Sequence, residues 1–470
     1  MNKDSVSRFR GRGILWGSLA RVFALGSQVV ALVAMSRILE KEEFGNAMIA
    51  FATYRLLSLF AGSGLGSLVV YHVSRAGGDH AVDIRLSRSA SLAALLISCC
   101  LAALTFVFAP EIAALFEKPS LAKWLQHMAP MLPFGALVLI TSASLDARSR
   151  VNDSILLTEF LPNLLRLIGF PAVLLLQLPG IAVAHVLWIS LALPWLWDAR
   201  RLLTSHVAGM ASLTRWDTRY SGWLSFYPVL GQQLQGVDIL IAGYLFSSAV
   251  VADYSIAARL AVFYPFVQYI AVRSFTPRAG ALFEKGDPAA IDGELAQLRR
   301  RSIVSVLVLT GMIIATAPLT LRLFGDYAGA VPMLIALAFP ALFRSAFAGV
   351  DVVLRITGRA APSTLAVGGA MIVVIAGTFA VENALGIFAL PASMLLASMV
   401  FNPLMAIVAR REGVTPVSIR DFLFLVMPLA GLVAGQSLGH ADLAAVLAGL
   451  VLLAGAALCY FAWTSDIMEK

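Results

Sequence analysis

The sequence predicts an all-α, polytopic membrane protein of fourteen transmembrane helices. Three observations predict it. Hydrophobic residues make up 59% of the 470 positions and charged residues only 13%, against roughly 45–50% and 25% in soluble chains. The mean hydropathy is +0.85. The apolar surplus is also divided into successive runs, each long enough to cross about 30 Å of hydrocarbon as a helix. This composition excludes a soluble enzyme. The longest gaps, around 199–221 and 278–302, leave no room for a soluble catalytic domain.

Taken in order, the runs place spans near 14–36, 44–72, 89–109, 125–145, 155–177, 181–198 and 222–245, then near 254–277, 303–321, 331–354, 363–381, 385–408, 422–439 and 442–463. Arg8, Arg10 and Arg12 ahead of the first run imitate a signal peptide, but that run is too long and carries Arg21 in its middle, so it reads as an uncleaved first span. Cys99, Cys100 and Cys459 all fall inside apolar runs, where they form neither a disulfide framework nor a CxxC metal site.

With the N-terminus inside, the inner segments hold 24 Lys or Arg and the outer loops 5. This is the positive-inside pattern, and an even span count then puts both termini in the cytoplasm. The sequence pI of about 9.6 therefore reflects topology, not a nucleic-acid-binding face. An internal echo divides the chain. Trp16-Gly-Ser, Gln28 and Glu43-Phe44 recur as Trp223-Leu-Ser, Gln235 and Asp253-Tyr254, six spans later and so in the same membrane orientation. The expected organisation is an N-lobe over 1–220 (spans one to six), a C-lobe over 221–421 (spans seven to twelve), and two added spans over 422–470.

Six of the 35 basic residues lie within spans: Arg21, Arg55, Arg166, Arg259, Arg273 and Arg344. Facing lipid, they would cost roughly 15–20 kcal/mol together, more than most proteins' whole stability. They must face protein, water or a partner. Helical spacing separates them. Glu159, Asn163 and Arg166 share a face, as do Arg344, Asp351 and Arg355, so structural ion pairs are expected at Glu159–Arg166 and Arg344–Asp351. Arg273, near its span end, can snorkel. Arg21 has only Ser18 and Gln28 on its face, Arg55 has Ser58 and Gly62, and Arg259 has Ser255 and Arg273. The mid-span acids are Glu159, Asp238 and Asp351 alone. A cavity lined by this excess of arginine selects an anion, and Arg21, Arg55 and Arg259 are expected to converge on it.

Span seven adds Ser225, Gln232, Gln235 and Asp238 on one stripe, which suits either a hydrated cavity or an interhelical hydrogen-bond seam. Asp238 is the acid placed to exchange a proton or hold a small cation. Gly62-Ser-Gly64-Leu-Gly66 lies within an apolar span with no strand before it, so it marks close helix packing and not a phosphate loop. No HExxH spacing or Ser-His-acid arrangement occurs. Neither a catalytic residue nor a metal site is expected.

Several short motifs together resemble a known family. They are Ser36-Arg-Ile-Leu, Glu43-Phe44-Gly45, Gly64-Leu-Gly66 with Arg75, Ile112-Ala-x-Leu115-Phe116 with Pro119-x-Leu121, Leu145-x-Ala147-Arg148, and Asp253-Tyr254-Ser-Ile-Ala-Ala-Arg259-Leu260 with Pro277. Over residues 10–280 the chain resembles the Wzx-like oligosaccharide flippases of the multidrug/oligosaccharidyl-lipid/polysaccharide exporter superfamily. Asn46 departs from the aromatic residue usual after Phe-Gly. The resemblance implies two pseudo-symmetric six-helix lobes in a V around a cavity in a bacterial inner membrane. The cargo it implies is a polyprenyl-diphosphate-linked oligosaccharide, with membrane lipids and other polysaccharide-assembly proteins as partners and no nucleic acid. It also implies diphosphate-binding arginines on spans one, two and eight, where Arg21, Arg55 and Arg259 stand with Arg273 beyond, and Gln28, Gln232 and Gln235 as cavity lining. Beyond a coupling Na+ or H+, with Asp238 as its site, no cofactor is implied. A multidrug antiporter would need more acid than base in its cavity, and a membrane polymerase or ligase would need a larger outer loop. A lipid II flippase shares the same physics.

Overall fold

In the computed structural model the described residues are 23, 26–214, 217, 221–222, 234–284, 288–356, 360–411 and 441–468. They form helices and loops, with no strand among them. Lipid offers no partner to backbone amides, so an apolar run satisfies its own N–H and C=O groups only as a helix. In chain order these are α1 (Gly26–Ile38), α2 (Lys41–Arg75), α3 (His80–Val107), α4 (Ala109–Leu115), α5 (Leu121–Met128), α6 (Met131–Ala147), α7 (Val151–Ile155), α8 (Leu161–Leu175) and α9 (Ala182–Thr204). There follow α10 (Leu234–Leu245), α11 (Ser248–Ala261), α12 (Phe266–Glu284), α13 (Pro288–Phe324), α14 (Ala330–Ser345), α15 (Val350–Ile356), α16 (Ala360–Leu385), α17 (Ala389–Arg410) and α18 (Ala441–Met468).

Every predicted span except 422–439, which lies outside the described residues, coincides wholly or partly with one or more of these helices. Six described helices are long and apolar enough to cross a membrane alone, and eight when two bent pairs are each taken as one span. Both bent pairs break at proline, which lacks a helical N–H and crowds the preceding turn. α5 meets α6 at 45° across Ala129-Pro130, and α11 ends four residues before Pro265 and α12 begins just after it. A π-helical turn over Leu156–Phe160 joins α7 to α8. Span ten is not one helix: it divides into α14 and α15 around Ala346–Gly349, where Gly349 has φ 84° and a Cβ would stand 2.7 Å from Leu298.

The chain forms two units, 1–252 and 253–470. In the first, α2 packs along α6, with α3, α9 and α10 around them. Close approach depends on glycine: a Cβ on Gly62 would lie 2.7 Å from the Ala136 carbonyl, so the Gly62–Gly66 stretch is a packing surface. In the second unit α13 crosses α18 backbone to backbone, where a Cβ on Gly311 would meet the Gly449 carbonyl at 2.9 Å. The last span is thus an integral part of this unit.

The internal echo is structural. Tyr54, eleven residues after Glu43, donates its hydroxyl to the Leu125 carbonyl. Tyr264, eleven residues after Asp253, donates to the Leu334 carbonyl at 2.9 Å. Phe44 and Tyr254 are both fully buried. Each unit repeats a Leu-Phe pair followed by a residue of positive φ, Glu117 at 55° and Gly325 at 114°.

Candidate functional site

Three of the mid-span charged residues belong to the first unit. Arg55 lies on α2, half-buried, within electrostatic reach of Asp238 on α10 and of Arg166 on α8. Asp238 is only 2% exposed, and its Oδ1 accepts the Ile239 backbone N–H at 2.9 Å. The Arg166 Nε donates to Ser190 Oγ on α9 at 2.9 Å. Ser190 in turn donates to the Leu187 carbonyl at 2.7 Å, which turns a lone pair toward the arginine. Ser58 and Gly62, on the Arg55 stripe, are spent on packing: Ser58 Oγ donates to the Leu132 carbonyl at 3.2 Å.

The residues of the two expected ion pairs are placed as follows. Arg166 donates to Ser190, and Glu159 lies on the π turn over Leu156–Phe160. Arg344 and Asp351 sit on separate helices either side of the Gly349 break, and Arg344 is exposed. Arg259 is half-buried on α11, in the second unit, and Gln28 is exposed on α1. Arg21, Ser225 and Gln232 lie outside the described residues, as do the side chains of Gln235 on α10 and Arg273 on α12.

Sequence reasoning missed a second polar cluster, at the end of the first unit where its basic loops emerge. Fully buried Asp83 accepts from Ser144 at 2.7 Å and Ser87 at 3.1 Å, and pairs with Arg201 at 3.0 Å and Arg148 at 3.3 Å. Arg201 also pairs with Asp198 at 2.6 Å, whose other oxygen accepts from Thr141 at 2.8 Å. The cluster clamps α3, α6 and α9. Its members are separated by up to 118 residues, so no helical period relates them. Beside it, Arg88 donates to the carbonyls of Leu202, Ser205, Val207 and Gly209, pinning the following loop. Farther along that loop Asp217 meets His72 at 2.9 Å. Burial alone would raise the Asp217 carboxyl, but the Thr214 N–H and hydroxyl and the His72 ring outweigh it and hold it below the usual range.

At the opposite end of the unit, Trp124 Nε1 donates to Glu43 Oε2 at 2.5 Å. Asn46 bridges Ser120 and Ser248, with 2.7 Å to each. Among the described residues no three His, Cys, Asp or Glu side chains gather where they could hold a metal ion.

Comparison with known proteins agrees with this architecture. Residues 11–282 match the model of a family described as polysaccharide biosynthesis protein. A 122-residue stretch is 29% identical to the succinoglycan biosynthesis transport protein ExoT of Rhizobium meliloti (strain 1021), covering 26% of this chain and only 23% of that relative. The fold is that of the lipid II flippase MurJ in an inward closed conformation, at a TM-score of 0.74 and 15% identity over 97% of this chain and all of that one. It is also that of an inward-facing multidrug resistance MATE transporter, at a TM-score of 0.69 and 15% identity over 85% and 98%.

Proposed function

This chain belongs to the polysaccharide biosynthesis protein family, and from that premise we propose that it is a flippase for a polyprenyl-diphosphate-linked oligosaccharide. It moves the sugar headgroup from the cytoplasmic to the periplasmic leaflet of a bacterial inner membrane, while the polyprenyl tail stays in lipid. The observation that carries this reading is the excess of mid-span arginine. Arg55 and Arg166 stand within electrostatic reach of each other, and a buried cationic site suits a diphosphate and repels an organic cation. The matched relative's role in succinoglycan transport favours a polymer precursor as cargo over lipid II, although both cargoes present the same diphosphate. Asp238, buried beside Arg55, is the group that couples transport to Na+ or H+. The distribution of 24 against 5 basic residues supports cytoplasmic termini.

The test is cellular. Removing the chain should make lipid-linked oligosaccharide accumulate facing the cytoplasm, reachable by glycan-labelling reagents only after permeabilisation. Wild-type chain should clear it, Arg55→Ala should not, and Arg55→Lys should clear it partly, because an ammonium keeps the charge but loses the bidentate fork. Absence of any accumulation would overturn the proposal.

A further inference from the structure

Two histidines from different helices meet at the end of the first unit away from its basic loops. His127 on α5 and His185 on α9 stand edge to face, with ring centroids 5.7 Å apart. Their hydrogen bonds fix their tautomers. The Lys123 carbonyl can only accept, so His127 Nδ1, 2.9 Å from it, carries the ring proton. An indole N–H can only donate, so His185 Nδ1, 3.1 Å from Trp188 Nε1, presents a lone pair. Trp188 in turn lies nearly parallel to Phe134 on α6, at 14° and 6.1 Å, and Phe134 packs on Trp195 at 5.8 Å. A tryptophan that anchors a span at the membrane surface turns its N–H to the headgroups. This one directs it to a histidine nitrogen that can take up a proton.

A proton on His185 Nδ1 turns the acceptor into a donor and sets N–H against N–H, so Trp188 loses its bond. A further proton on His127 places two like charges at the observed ring distance. Between pH 5 and 8 the charged groups toward this end on the elements packed against the pair are Lys123 on α5, Glu111 on α4, and Lys41, Glu42 and Glu43 at the start of α2. Glu43 is held by Trp124. Arg166 on α8, which binds Ser190, Glu159 in the π turn, and the remaining charges of α2, α3, α6 and α9 lie in mid-span or at the opposite end. Among the described residues no carboxylate pairs with either histidine, so no counter-charge in contact holds a protonated pair together.

We propose that His127 and His185 form a proton-operated latch between α5 and α9, closed when both rings are neutral and opened by acid on that side of the membrane. The latch controls more than two helices. α5 carries the Trp124 bond to Glu43, and Ser120 at its start is bridged through Asn46 to Ser248. Loosening α5 therefore loosens the hold on the turn between α10 and α11.

Hydrogen–deuterium exchange on the full chain in detergent tests this, with the protection of amides 122–128 corrected for the intrinsic exchange rate at each pH from 8 down to 5. Wild type should lose protection there by roughly fivefold or more, while the 205–214 loop keeps its own. His185→Asn puts an amide oxygen where Nδ1 accepts and takes up no proton, so protection should stay high throughout. His185→Lys, charged across the range, should hold it low throughout. His127→Asn keeps the switch at His185 and removes the second charge, so the fall should be smaller. Protection that does not change with pH in wild type, that falls as far in His185→Asn as in wild type, or that falls equally in 205–214, overturns the proposal.

Discussion

At Gly45 the chain has no room for a side chain. A Cβ there would stand 1.9 Å from the Ser248 carbonyl oxygen, a backbone atom at the turn between α10 and α11 that cannot swing aside. Gly45→Ala is therefore expected to cost at least about 1–3 kcal/mol by overpacking. Gly280→Ala, where nothing lies within 4 Å of the added methyl, should be neutral or slightly stabilising. Thermal unfolding in detergent distinguishes the two, and equal shifts would contradict the contact. The Phe44-Gly45 pair was legible as a motif, but its cause was not, since its partner is about 200 residues away. Asn46 shows the same limit. Its departure from an aromatic residue is visible in sequence, and only the structure supplies Ser120 and Ser248 as the groups it bridges. Arg55, Asp238 and Arg166 are legible as charges out of place, whereas the Arg166 bond to Ser190 on α9 is not, because its partner is on another helix.

Among the elements, the clamp on α3, α6 and α9 concentrates buried charge at one end of the first unit. Asp83→Asn would leave Arg148 and Arg201 without their shared carboxylate, and removing one partner from a buried pair costs about 3–5 kcal/mol. Asp153→Asn is the control: its bond to Arg150 is equally short at 2.6 Å, but both side chains are more than 40% exposed, so it should lose only about 0–1 kcal/mol. Comparable unfolding temperatures for the two variants would contradict the clamp. The loop after α9 carries a pH dependence. The folded Asp217 carboxyl sits below its ordinary value, so its contacts contribute fully above the unfolded pKa of about 3.9 and are lost as pH falls through the lower folded value. Amide exchange in 205–214 should stay slow down to about pH 4 and accelerate below it in wild type, and Asp217→Asn should exchange fast throughout. The helices themselves were legible because lipid forces every apolar run into one. Their interruptions were not read from the sequence, although Pro130 and Pro265 stand at two of them; at Ala346–Gly349 the signal is a glycine.

For the molecule as a whole, the repeat seen faintly in Glu43-Phe44 and Asp253-Tyr254 extends to matching tyrosine-to-carbonyl bonds from Tyr54 and Tyr264. Each of the two units, 1–252 and 253–470, keeps this arrangement within itself. Span seven, assigned by sequence to the second half, packs as α10 against α2 in the first, and this contact is what brings Asp238 to Arg55. On the proposed function, this arginine-bearing bundle carries a diphosphate-linked glycan across the bilayer. It is tested most directly in vesicles containing only the purified chain and a fluorescent polyprenyl-diphosphate-linked oligosaccharide, by following how much of the glycan becomes reachable by an enzyme confined to the opposite side. Wild type should transfer it rapidly, and Arg55→Ala inserted to the same level should transfer it at the protein-free rate. Transfer by Arg55→Ala at the wild-type rate, or none by wild type in the presence of both Na+ and H+ gradients, would contradict it.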